Sequence, residues 1–75
     1  MAKKRAISEG VYRVIDVIGT STVSWEDAAS KAVATASKSL RDLRIAEVTK
    51  LDVKIDNGKV TQFRTRLSLS FKYGA

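Results

Sequence analysis

Residues 11–28, Val11-Tyr12-Arg13-Val14-Ile15-Asp16-Val17-Ile18-Gly19-Thr20-Ser21-Thr22-Val23-Ser24-Trp25-Glu26-Asp27-Ala28, decide the fold. The first eight are β-branched and aromatic, the composition of a strand. Gly19-Thr20-Ser21-Thr22-Val23 breaks it. Ser24 has the side chain of a helix N-cap, and Glu26 and Asp27 set acid in the first turn against the helix dipole. Asp27 stands three residues after Ser24, a weak form of the capping box. A strand therefore passes through one short turn into a helix.

Further along, Ala28, Ala29, Ala32, Val33, Ala36, Leu40 and Leu43 recur at three- and four-residue spacing, which predicts a helix from about Trp25 to Leu40 or Leu43. Its alanine-dominated stripe suits close packing, and Lys38 and Arg41 fall late, where basic residues suit the dipole. Two strands follow, joined by Asp56-Asn57-Gly58-Lys59, a hairpin signal. In the last strand Thr61, Phe63, Thr65, Leu67, Leu69, Phe71 and Tyr73 form an apolar face. Gln62, Arg64, Arg66, Ser68, Ser70 and Lys72 form a polar one.

The middle strand slips in phase. Leu51, Val53 and Ile55 share one face and Ala46 and Val48 the other, so one extra residue near Thr49-Lys50, a β-bulge, is needed to bring all five to the core. A three-residue turn with Gly58 left-handed sets Leu51 opposite Phe63, Val53 opposite Thr61, Ala46 opposite Leu67 and Glu47 opposite Arg66. Ile45 and Arg64 then lie on the outer face. The fold class is α+β in the order β-α-β-β. With the three strands antiparallel, the spatial order is second, third, first. Residues 1–9 read as a flexible basic tail and residues 10–75 as a single domain.

Composition narrows the function. The 75 residues carry 14 Lys plus Arg against 8 Asp plus Glu, a net charge of +6, with no Cys, His or Pro. Without Cys there is no disulfide, and without Cys or His there is no conventional zinc site and no Cys–His nucleophile pair. An enzyme is not expected. A core this small needs a staple, and association with further copies is the one left open. No apolar stretch approaches membrane-spanning length, and Met1-Ala2-Lys3-Lys4-Arg5 leads into no apolar region, so a cytoplasmic location is expected.

Several segments invite sharper readings. Asp52–Gly58 looks superficially like a calcium loop, but Val53 and Ile55 occupy ligand positions, so it reads as a hairpin turn. A calcium site assembled from carboxylates of several subunits, with Asp16, Glu47 and Asp52 as candidates, stays open. Gly19-Thr20-Ser21 lacks the Gly-rich run and Lys of a phosphate loop and reads as turn plus cap. Trp25 reads as a packing residue at the helix end. No helix has a dense basic face and the aromatics sit mostly on the apolar strand face, so nucleic acid is not the expected partner. Arg64 and Arg66, near Glu47, stand open between an inter-subunit ion pair and a grip on an anionic ligand.

The strand with its Gly19-Thr20-Ser21 exit, the Ser24-Trp25-Glu26-Asp27-Ala28 cap, Ser39-Leu40-Arg41-Asp42-Leu43-Arg44 and Leu69-Ser70-Phe71-Lys72 together resemble the dodecin family, over residues 11–73. The resemblance implies a sheet partly wrapping one helix and a hollow homododecamer that binds and stores a small ligand without converting it. Many members hold flavins between paired Trp rings, with a Gln on the third strand bonding the flavin edge. The matching positions here are Ile45 and Arg64, with Glu47 and Arg66 as neighbours. Ile has no aromatic face, and stacking is worth about 1–3 kcal/mol per ring. Arg donates only, where an amide both donates and accepts. The resemblance thus implies a flavin site lost or altered, a small anionic or aromatic molecule as the ligand class, and calcium as the alternative.

Overall fold

The computed structural model describes residues 10–72, so the expected tail over residues 1–9 and the place of Tyr73 lie outside the described residues. Tyr12–Ser21 form β1, Trp25–Ala36 form α1, Leu43–Asp56 form β2 and Lys59–Lys72 form β3. The sheet is antiparallel in the order β1-β3-β2, as the sequence argument requires.

Local chemistry makes the β1–α1 junction. The Ser24 hydroxyl caps the helix by accepting from the Asp27 backbone N–H at 2.9 Å. Ser21 is buried, its hydroxyl donating to the Asp27 carboxylate at 2.6 Å and accepting from the Val23 N–H at 2.9 Å. Thr65, also buried, donates to the Trp25 carbonyl at 2.9 Å and ties the first turn to β3. Gly19 lets the helix settle this low. A Cβ there would run into the Ala28 carbonyl oxygen and stand 2.9 Å from the Ala32 Cβ.

The helix ends earlier than the apolar spacing predicts, at Ala36 rather than near Leu40 or Leu43. Lys38 and Ser39 donate three residues back, to Thr35 and Ala36, at 3.2 and 3.1 Å, so the last turn tightens. Ser37 and Ser39 favour caps and turns over helix interiors. Leu40 lies beyond the helix, Lys38 and Arg41 are not in its last turn, and Asp42, at φ 56°, turns the chain into β2. Leu43 belongs to β2, opposite Phe71.

The hairpin register differs by two residues from the one expected. Asn57 and Gly58, both at positive φ (53° and 75°), form a two-residue turn between the paired Asp56 and Lys59. The expected three-residue turn is replaced by this tighter one with a bulge at Thr61. That residue leaves the core face, and its hydroxyl donates to Asp56 at 2.7 Å. Leu51 then pairs with Thr65, Val53 with Phe63, Ala46 with Leu69 and Glu47 with Ser68. A two-residue shift keeps every other side chain on its face. The bulge expected near Thr49-Lys50 is present, and a further irregularity lies at Arg44.

The core is small: Ala28, Leu67 and Leu69 are the buried apolar side chains among the described residues. A 12-residue helix is about 18 Å long, whereas the 14-residue strands of the hairpin run about 47 Å. α1 therefore covers β1 and β3 and leaves Val48, Leu51 and Ile55 on the inner side of β2 between about half and three-fifths exposed. No helix among the described residues is long and apolar enough to cross a membrane. Gly19→Ala is expected to destabilise by more than the usual 1–3 kcal/mol of overpacking, because the obstacle is backbone. Gly58→Ala, with open space around it, is expected to cost only about 1 kcal/mol of turn strain. Denaturant melts of the two variants check the ranking.

Candidate functional site

α1 lies on one side of the sheet, and among the described residues no helix covers the other. Its side chains fall into rows across β1, β3 and β2: Thr20, Arg64 and Asp52; Ile18, Arg66 and Lys50; Asp16, Ser68 and Glu47; Val14, Ser70 and Ile45. One end is cationic and the other apolar. Val14 and Ile45 are 57% and 63% exposed, and Ile45 also borders a cleft of about 170 Å³ with Val33, Leu43, Ala46 and Leu69.

Ile45 and Arg64 both lie on this outer face, as expected, but one chain does not bring them together. Ile45 is opposite Ser70, six residues from Arg64 along β3, or about 20 Å. A site using both needs a second copy. Glu47 stands opposite Ser68 rather than Arg66, because the turn and the Thr61 bulge move the register by two. Arg66 instead faces Lys50 on one side and Ile18 on the other.

Arg64 is already engaged. Its Nε donates to Asp52 Oδ1 at 2.7 Å and its Nη2 to Oδ2 at 3.1 Å, a bidentate fork. That hydrogen bond holds the Asp52 carboxyl below, and the Arg64 guanidinium above, their ordinary values. The Asp52–Arg64 pairing is the feature that sequence reading missed. Counting Asn57-Gly58 as a two-residue turn, with a bulge beside it, finds it.

Trp25 is a packing residue, as the sequence suggests. Its ring meets Phe63 edge-on, 5.1 Å between centroids, and its indole N–H donates to the Asp52 carbonyl at 3.0 Å. The segment from Asp52 to Gly58 is strand and turn, not an ion loop. Among the described residues no three carboxylates cluster to hold a metal ion. Asp16 and Glu47 flank Ser68 from opposite sides, so ligation by both with a third carboxylate needs another copy.

Among the described residues two carboxyls are held low, Asp52 by Arg64 and Asp27 by the Ser21 hydroxyl and then Lys31. Lowered carboxyl values stabilise the fold above the unfolded carboxylate range, and the contribution disappears as pH falls through the folded values. Thermal melts are expected to be flat near neutrality and to fall below about pH 4. Asp52→Asn is expected to remove part of that acid dependence.

The outer face invites comparison with known proteins. The family model described as Dodecin matches residues 11–74. The calcium dodecin of Mycobacterium tuberculosis is 51% identical over 63 residues, covering 83% of this chain and 87% of that protein. A crystal structure of that calcium-chelating antigen superposes with a TM-score of 0.75 at 49% identity, over 83% of this chain and 89% of the other. The dodecin of Streptomyces coelicolor superposes at 0.81 with 37% identity, over 87% and 93%. A β-α-β-β chain with one short helix on an antiparallel sheet, matched across nearly its whole length, belongs to the dodecin family.

Proposed function

We propose that the chain is a non-catalytic, cytoplasmic ligand-holding protein, assembled as a hollow homododecamer, whose flavin site is altered. The observation that carries this reading is the outer face itself. It has Ile45 where a stacking ring is needed, and an Arg64 whose guanidinium is clamped on Asp52. Flavin in the family manner would lose its stacking, and would meet donors alone at an edge that needs both donors and acceptors. The uncovered inner side of β2 and the paucity of buried side chains support assembly, since a core of this size is weak alone. Titration with riboflavin and its phosphate, followed by fluorescence quenching, is expected to show no submicromolar, stoichiometric load. Ile45→Trp combined with Arg64→Gln is expected to gain at least tenfold in flavin affinity; a tight wild-type complex overturns the altered-site reading.

A second reading is a calcium-holding shell. It is favoured by the 51% identity to a protein named calcium dodecin and by the Asp16–Ser68–Glu47 row, which sets carboxylates either side of a hydroxyl. Calorimetric titration of dialysed protein with calcium, with Asp16→Asn and Glu47→Gln as comparisons, separates the two. The calcium reading expects binding that weakens in both variants, the small-molecule reading none. Light scattering in parallel is expected to give about 98 kDa, twelve chains of 8.2 kDa.

A further inference from the structure

We propose that Lys50 and Arg66, side by side on the outer face of the sheet with Arg64 in the next row, form a binding site for the phosphate of a small ligand. The inference deepens the ligand-holding reading and rests on it.

The register places the two cations directly opposite each other on neighbouring strands. Side chains so placed have Cβ atoms about 5 Å apart, and like charges there repel. The Thr49 bulge creates the juxtaposition. Without its extra residue, Lys50 would share the inner face with Val48; with it, Lys50 turns outward against Arg66. The bulge is pinned at the same place, since the Thr49 hydroxyl donates to the Arg66 carbonyl at 3.3 Å.

Among the described residues neither cation has an ion-pair partner. Among the described residues, the ion pairs are Lys31–Asp27, Lys54–Asp56 and Arg64–Asp52, and both Lys50 and Arg66 are exposed and outside them. Asp52 is held by the bidentate Arg64, and Arg66 and Lys50 add to lowering its pKa. Three positive groups thus converge on Asp52. On its β1 side Arg66 also lines, with Asp16, Val17 and Ile18, a shallow cleft of about 360 Å³ that Lys50 does not border. The next row carries Asp16 on β1 and Glu47 on β2, so carboxylates on both outer strands hold an anion to the Lys50–Arg66 and Arg64 rows. A dianionic phosphate offers several acceptor oxygens to a guanidinium and an ammonium together, and these charge-assisted bonds are the strong kind.

The test uses the full chain at low ionic strength, titrated calorimetrically with inorganic phosphate and separately with adenosine monophosphate. Saturable binding that weakens with added salt is expected, and Lys50→Gln and Arg66→Gln are each expected to weaken it about tenfold or more. Equal affinity for the two probes identifies free phosphate as the ligand chemistry; tighter binding of the monophosphate identifies a phosphate ester. Asp52→Asn, which removes a competing carboxylate and no cation, is expected to bind several-fold tighter, and it serves where the double variant fails to fold. No saturable binding of either probe by the wild-type chain overturns the proposal, as does unchanged affinity in the Lys50→Gln, Arg66→Gln double variant. If that variant dissociates the assembly at unchanged affinity per chain, the pair is a subunit contact and the proposal falls. Light scattering on the same wild-type sample reads the assembly separately, because the site lies within one chain.

Discussion

Close approach of α1 to β1 at Gly19 is the constraint on which the rest of this small structure depends. With hydrogen as the side chain, the Ala28 carbonyl and the Ala32 methyl can lie against the strand. Ser24 can then cap the helix while Ser21, two residues past Gly19, reaches the Asp27 carboxylate. The first turn, so placed, delivers Trp25 across β3 to β2, where its indole bonds the backbone of Asp52. Helix, central strand and far strand are thereby tied by polar contacts at one end, where apolar burial alone would be thin. The same placement leaves the outer face without a helix among the described residues, so its side chains meet one another only in rows across the strands.

How much of this is legible in the sequence follows the distance over which each feature is decided. Strand, cap and helix onset are local, and Ser24, Asp27 and the β-branched run announce them. The Thr49 bulge is legible too, because a phase slip between Val48 and Leu51 has no other remedy. The helix end misleads because Leu40 and Leu43 keep helical spacing while serving a loop and a strand. The register misleads because Asn57-Gly58 and the Thr61 bulge act together, and their combined effect is invisible to either alone. The candidate site suffers most: Asp52 meets Arg64, and Lys50 meets Arg66, only in the observed register. Ile45 and Arg64 are singled out by family resemblance and not by spacing.

The excess of basic residues takes on a different meaning in this frame. Spread over a solvated surface, +6 on 75 residues would be a general property of the chain. Arg64, Arg66 and Lys50 instead sit within two adjacent rows, with one shared carboxylate between them. Repetition of the chain in a closed assembly would multiply that local excess, and counterions or bound anions would have to screen it. Charge and fold are linked through the hairpin, since the strand pairing decides which cations become neighbours.

That pairing behaves like a reading frame. The extra residue at Thr61 shifts β3 by one position against β2, and the extra residue at Thr49 shifts β2 back, so Ile55 with Val60 and Val48 with Leu67 share one frame. Between the two shifts lie five pairs, Lys54–Gln62 to Lys50–Arg66, in another. The charged cluster of the outer face is written entirely inside this reframed window. Losing either bulge alone would put the strand segments out of phase and exchange their buried and exposed sides; losing both would restore pairing but erase the cluster. The length of the hairpin on each side of its turn is therefore as much a determinant of this surface as the residues it carries.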